Sequence, residues 1–304
     1  MPRSPDDLPA HRARAGQTPR FDLQAHSTHS DGELPPAGVV AAAAGAGIRL
    51  LALTDHDTVA GQAEAAAAAT QHQLALVTGV EVSVLDPAAT DLHICGYLVD
   101  PQAPGLRTQL ASSREARALR TERMCDAVER AGWRLDRAGI DARRAGGASI
   151  GRPHLAQAVF SEPANSSRLA REGLHSATDF LAAYLVEGKP AYAPRLAPSV
   201  AEVIELLHEA GGIAVWAHPF WDLAATDAVA STLRRFARLG LDGVEAFYIT
   251  HSREQTQMLV DQAAQLGLLT TGSSDFHGPN HPLFHSFGAF STYDLQARLG
   301  PLLD

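Results

Sequence analysis

Fourteen histidines are spread along this chain of 304 residues. Those suited to chemistry gather in five short polar clusters, each following an apolar run: HSTHSD (26–31), TDHD (54–57), GVE (79–81), AHP (217–219) and SSDFH (273–277). His93 adds another imidazole inside a strand-like run. Imidazole nitrogens mixed with carboxylate oxygens are a donor set for divalent transition metals. A lone histidine at a strand end is more often a hydrogen-bonded core residue. Five of them (His26, His56, His93, His218 and His277) with three carboxylates (Asp31, Glu81 and Asp275) on one predicted face make a shared metal site the better reading. His11, His72, His175 and His208 fall in the tail or on helices and read as solvated. His251, His281 and His285 stay open, with His281 a residue for the rim of the site.

The elements that must position these groups alternate. Strands are expected over 21–25, 48–53, 74–78 with a continuation to 84, and 92–98; helices over 35–46 and 59–72 lie between them. The run Ile48 to Leu53 carries only Arg49 as a charge, as a strand buried on both faces would. From about 101 to 190 the strand signal lapses into a long charged helix, 106–131, and further helical pieces. That stretch reads as an inserted helical subdomain, leaving 21–100 and 191–304 as one barrel and 1–20 as a disordered tail. Alternation resumes with helices over 198–210, 225–238, 252–265 and 293–303 and strands over 213–216, 243–247 and 268–272. Repeated βα units of this kind predict a parallel sheet closed into a barrel, whose strand ends share one face.

Composition narrows the function. A hydrophobic share of 45% supports a large core, and a net charge of −9 gives no positive field to draw in duplex nucleic acid. Cys95 and Cys125 lack the spacing of a disulfide framework or a thiolate zinc site. No run approaches the length of a membrane span, and the charged, Pro-rich start has no apolar core of a signal peptide, so a cytoplasmic monomer is expected. The run GASIG (147–151) matches a nucleophile elbow, but polar DARRAGG precedes it where a buried strand is needed.

Taken together, DLQAHSTHSDG (22–32), LTDHDT (53–58), GVEVS (79–83), LHICGY (92–97), GRPH (151–154), AHP (217–219), GVEAF (243–247) and SSDFHG (273–278) resemble the PHP (polymerase and histidinol phosphatase) family of metal-dependent phosphoesterases. The arrangement is most similar to the branch holding 3′,5′-nucleoside bisphosphate phosphatases and a 5′→3′ exoribonuclease of short RNAs. The resemblance implies a distorted seven-stranded, TIM-like α/β barrel with two or three divalent ions at one face, Mn²⁺ ahead of Fe²⁺ or Zn²⁺. It implies that Glu81 bridges two ions, one held also by His26 and Asp275 and the other by His93 and His218. Asp31, His56 and His277 would hold a third. Arg152 and His154, with Lys189 as a further contact, would bind the substrate phosphate. One position departs from the pattern: Gln24 stands where the family motif has a histidine, and an amide oxygen is a weaker ligand. His29 reads as a solvated loop residue.

These assignments imply hydrolysis of a phosphate monoester on a small nucleotide. Arg152 matches phosphate with its planar fork, and His154 or a histidine beside the third ion protonates the leaving alkoxide. Short oligoribonucleotides and histidinol phosphate are the alternative substrates. A metal-binding regulatory domain without turnover is the alternative of another class, to which Gln24 lends weight.

Overall fold

The computed structural model describes residues 20–87, 89–145, 150–194 and 196–303. The expected tail therefore falls outside the described residues except for Arg20, as do residues 147–149 of the GASIG run. Seven strands form one sheet in chain order: β1 (Phe21–Asp22), β2 (Leu50–Leu53), β3 (Ala75–Asp86), β4 (Ala89–Tyr97), β5 (Ile213–Trp216), β6 (Gly243–Tyr248) and β7 (Leu269–Ser273). The helices are α1 (Pro36–Gly45), α2 (Gln62–His72), α3 (Pro104–Arg130), α4 (Arg137–Ala145), α5 (Arg152–Phe160), α6 (Ser166–Arg171), α7 (Ala177–Phe180), α8 (Val200–Glu209), α9 (Pro219–Asp222), α10 (Thr226–Arg238) and α11 (Arg253–Leu266). None of the described helices is long and apolar enough to cross a membrane.

The chain divides into two compact units, one up to Ala111 and from Pro198 onward, the other Ser112–Ala197. The first is a barrel of α/β type. Beyond β7 the sheet closes on the segment after β1: Leu23 N–H donates to Gly272 O at 3.1 Å, His26 N–H donates to Phe276 O at 2.8 Å, and Ala25 bridges Phe276 in parallel. Only residues 21–22 of the expected strand 21–25 are paired as regular strand; the remainder makes these isolated closures.

Two expectations are corrected. The sheet is not all parallel: β4 runs antiparallel to both β3 and β5, while the other neighbouring pairs are parallel. The helix expected over 293–303 is absent apart from a 3₁₀ turn, Gly300–Leu303. Tyr293 and Asp294 have φ of +50° and +66°, and Arg298 pairs with Thr270 of β7, so this segment lies along the sheet instead.

Apolar strand residues explain the packing. Trp216 of β5 meets Phe236 of α10 edge-on at 5.1 Å, and Leu207 of α8 presses on β4 at Gly96. A Cβ on Gly96 would lie 2.3 Å from Leu207 Cδ2, so glycine here lets the Leu207 side chain pack directly on the strand backbone. α8 itself begins with a capping box between Ser199 and Glu202.

The second unit has its own core. Trp133 stands edge-on to Phe180 and Tyr184 at 5.1 and 5.3 Å, and the Arg168 guanidinium lies 4.0 Å over the Trp133 ring. Arg137 of α4 binds Glu122, Asp126 and Glu129 along one side of α3.

Candidate metal centre

Two carboxylates anchor the site. Glu81 lies within β3, fully buried, on the part of that strand that runs on past the end of its parallel neighbour β2. Its Oε1 is 2.9 Å from both His93 Nδ1 and His218 Nε2; its Oε2 is 3.2 Å from His26 Nε2 and 3.1 Å from His56 Nδ1. Asp275, just past β7, places Oδ1 3.0 Å from His26 Nε2 and 3.7 Å from His277 Nδ1. Asp31 lies 3.6 to 3.7 Å from His26, His56 and His277.

These donor atoms fall into three groups, each with all members within 4.8 Å of one another: His26, Glu81 and Asp275; His56, Glu81 and His93; and His26, Asp31, His56 and His277. His218 Nε2 lies 3.4 Å from His93 Nδ1 and joins the second group through the same Glu81 oxygen. The eight ligand candidates are therefore brought together in one unit. A divalent ion fits this arrangement. His26 Nε2, His56 Nδ1, Glu81 Oε2 and Asp275 Oδ1 are buried without a hydrogen-bond partner, although imidazole nitrogens and carboxylate oxygens face each other there at 3.0 to 3.2 Å. Buried polar atoms are normally satisfied, and donors that converge without hydrogen-bond geometry are arranged as ligands to a shared cation.

Electrostatics points the same way. Burial opposes ionisation of Glu81, but the surrounding His56, His93, His218 and His26 hold its carboxyl well below the usual range. Burial alone would depress His26 and His218; Asp275 and Glu81 instead carry His26 well above its ordinary value, and Glu81 pushes His218 up to about 10. For His56 burial prevails over Glu81 and Asp31, and its pKa falls to about 3. The carboxylates that draw protons to His26 and His218 attract a divalent cation for the same reason.

The backbone holds two of the ligand candidates in sparsely populated conformations. His218 has φ of +29° and Asp275 +54°. Such geometry persists where surrounding bonds enforce it, and it concentrates at functional sites. His218 N–H donates to Glu245 Oε2 at 2.8 Å, and Ser273 Oγ–H donates to Glu245 Oε1 at 2.5 Å. Burial pushes Glu245 up to about 8, against the pull of His218 and Ser273. Tyr248 Oη–H donates to Asp275 Oδ2 at 2.8 Å. Asp22 accepts from Ser274 N–H, Ser274 Oγ–H and Gly288 N–H, fixing the turn that carries Asp275. Asp55 accepts from Ser27 N–H, Ser27 Oγ–H and Ser30 Oγ–H, each at 2.7 Å, which pins the loop that carries Asp31.

These supporting residues are absent from the expected site. Asp22, Asp55 and Glu245 lie inside the motifs quoted above, so burial of a charged residue beside a ligand is a usable signal; Tyr248 has no such mark. Gln24 is buried, its Oε1 accepting from Cys95 Sγ at 3.6 Å. His29 is exposed, and buried His251 binds the Ala246 carbonyl through Nδ1. His281 stacks on Phe284 at 4.9 Å and lies 5.2 Å from His277, beside the site. Arg152 and His154 occupy the first turn of α5 in the second unit, where His154 Nδ1 accepts from Gly151 N–H at 3.0 Å. Lys189 is in a turn of that unit.

Comparison with known proteins agrees with this geometry. The PHP domain matches residues 22–136. A 5′-3′ exoribonuclease of Haemophilus influenzae is 32% identical over 86% of this chain and 91% of its own length. A 3′,5′-nucleoside bisphosphate phosphatase of Chromobacterium violaceum is 34% identical over 85% of this chain and 87% of its own. Among solved structures, an amidohydrolase of Chromobacterium violaceum with bound sulfate and no metal superposes with a TM-score of 0.75 at 32% identity, covering 88% of this chain and 90% of that one. Similar to such relatives over about 85% of its length, and folded as a seven-stranded barrel, the chain belongs to the PHP family of metal-dependent phosphoesterases.

Proposed function

We propose that the chain hydrolyses the 3′-phosphate of a 3′,5′-nucleoside bisphosphate. The observation that carries the reading is the set of buried, mutually facing donors around Glu81; the substrate comes from the bisphosphate phosphatase relative. We assign His26, Asp275 and Glu81 to one ion, His93, His218 and Glu81 to a second, and Asp31, His56 and His277 to a third, with Mn²⁺ as the metal. When bound, such ions supply a nucleophilic hydroxide near neutral pH and offset charge on the phosphoryl oxygens.

The protein's own contribution is to hold this set rigid. Glu245 and Tyr248 fix His218 and Asp275, Asp55 fixes the Asp31 loop, and burial keeps bulk water from competing for the ligands. Arg152 takes the role of a fork to the substrate phosphate, His154 that of proton donor to the leaving 3′-oxygen, and Lys189 that of an added phosphate contact. These roles follow from the resemblance of GRPH (151–154) and EGKPAY (187–192) to the family's segments.

Release of inorganic phosphate from 3′-phosphoadenosine 5′-phosphate, with Mn²⁺ and with EDTA, tests the reading beside AMP, histidinol phosphate and a short 5′-phosphorylated oligoribonucleotide. EDTA-sensitive release from the bisphosphate is expected. A second reading, 5′→3′ cleavage of short RNA, is favoured by the exoribonuclease relative. It takes over if the oligoribonucleotide is cleaved and the bisphosphate is not. Tight metal binding with no turnover of any ester would leave a regulatory domain.

A further inference from the structure

Trp221 is an exposed aromatic ring tied to the metal centre. It sits on the four-residue helix α9, which begins immediately after His218, and its backbone N–H donates to His218 O at 2.8 Å. Trp133 and Trp216 are buried, whereas Trp221 is 54% exposed. Its ring is held rather than loose: Phe284 lies 5.6 Å away and Tyr248 6.4 Å, centroid to centroid. Phe284 in turn stacks on His281 and lies 5.3 Å from the ring of His277. Tyr248 is the residue whose hydroxyl bonds Asp275. An aromatic ledge therefore runs outward from two candidate ligands, His277 and Asp275, and ends in an open indole face.

The Trp221 ring packs on Phe284 and Tyr248 with part of its surface and leaves 54% exposed beside a polar, charged centre. What it suits is a flat, π-rich group attached to the moiety that the centre binds. Aromatic side chains hold nucleobases in this way, by face stacking that tolerates different bases.

We propose that Trp221, backed by Phe284, is the stacking platform for the substrate's nucleobase. The ester turned over is then a nucleotide, selected by its base as well as by its phosphate. This rests on the reading of the centre as a phosphate-cleaving site and deepens it by naming what recognises the organic part.

Binding to the Mn²⁺-loaded protein is measured with AMP and with ribose 5-phosphate, which shares the sugar phosphate but has no base. AMP is expected to quench the exposed tryptophan fluorescence and ribose 5-phosphate to leave it unchanged. By calorimetry, Trp221→Ala is expected to weaken AMP binding about 5- to 150-fold, the range for one lost base stack, without altering ribose 5-phosphate binding. Trp221→Phe retains AMP affinity while abolishing the quench. Equal effects on the two ligands, no AMP binding, or an unchanged AMP affinity in Trp221→Ala would overturn the proposal. So would concentration-dependent burial of Trp221 without nucleotide, which would assign the ledge to a second copy of the chain. The two readings fail separately: base-dependent binding without hydrolysis removes the phosphatase function and keeps the platform. Hydrolysis of base-free esters at the nucleotide rate, unaffected in Trp221→Ala, does the reverse.

Discussion

Replacing Glu81 by glutamine changes one oxygen for an NH₂ group and removes one negative charge at the centre of the site. The side chain keeps its size, so packing is preserved, but of the four imidazoles at 2.9 to 3.2 Å two would face a group that cannot ligate a cation. A unit charge pair at ~4 Å with an effective dielectric of ~20 is worth about 4 kcal/mol. At 1.4 kcal/mol per decade that is ~10³-fold in affinity, a floor for a divalent ion. Glu81→Gln is therefore expected to bind Mn²⁺ at least ~10³-fold more weakly in a chelator competition titration and to lose phosphate release in parallel. Thermal unfolding in EDTA separates this from misfolding. Because Glu81 also faces His26 and His218 in the metal-free protein, the variant should melt lower than wild type in EDTA yet still unfold cooperatively, while the Mn²⁺-dependent rise in melting temperature disappears. A variant that still took up the wild-type number of ions at wild-type affinity would refute the bridging role of Glu81.

Other perturbations test separate parts. Gly32→Ala would place a Cβ 2.2 Å from His26 O and so displace the backbone of His26 and the loop bearing Asp31; elemental analysis should show less bound metal, and an unchanged content would show that neither needs this backbone position to hold an ion. Arg152→Ala should lower kcat/KM for the phosphate ester about 10²-fold with metal content intact, whereas concurrent loss of metal would make its role structural. Burial lowers the His251 pKa from 6.5 to about 4, so its neutral form is favoured in the fold. Its stabilising effect is complete above pH 6.5 and is lost as pH falls through about 4, by roughly 3 kcal/mol at 1.36 kcal/mol per unit. Denaturant titrations across that window should show His251→Asn, which keeps a donor for the Ala246 carbonyl, losing less stability on acidification than wild type; parallel curves would place the acid sensitivity elsewhere.

Much of the barrel was legible because strands buried on both faces read as apolar runs, and the run Ile48 to Leu53 appears as β2 with His56 just beyond it. Direction was not legible. LHICGY has the same pattern whether its strand runs up or down, and hydrogen-bond pairing with β3 and β5 decides it. The expected last helix failed for another reason. Leu295, Leu299 and Leu302 recur at helical spacing, yet Leu299 and Leu302 are buried against the barrel from a segment that pairs with β7, so tertiary packing overrode the local period. The ligand candidates were legible as residue types at strand ends. Of their supports, Tyr248 was not, since it owes its importance only to the distance of its hydroxyl from Asp275.

The reversal of β4 sets the carboxylate of Glu81 beside His93. Pairing β3 and β4 antiparallel sets Glu81 opposite Cys95 and Ser83 opposite His93, so alternation points all four side chains to one face of the sheet. Glu81 and His93 become diagonal neighbours and meet at 2.9 Å. One layer below, Cys95 turns its thiol to Gln24; burial, with Glu81 and Glu245 nearby, raises the thiol pKa well above its usual value and keeps it neutral. Gln24 therefore belongs to an uncharged floor under the ligands. Its amide in place of the family's imidazole removes a donor from that floor but leaves Glu81, Asp275 and His26 facing one another, because these three are positioned by β3, by the turn after β7 and by the closure of the barrel.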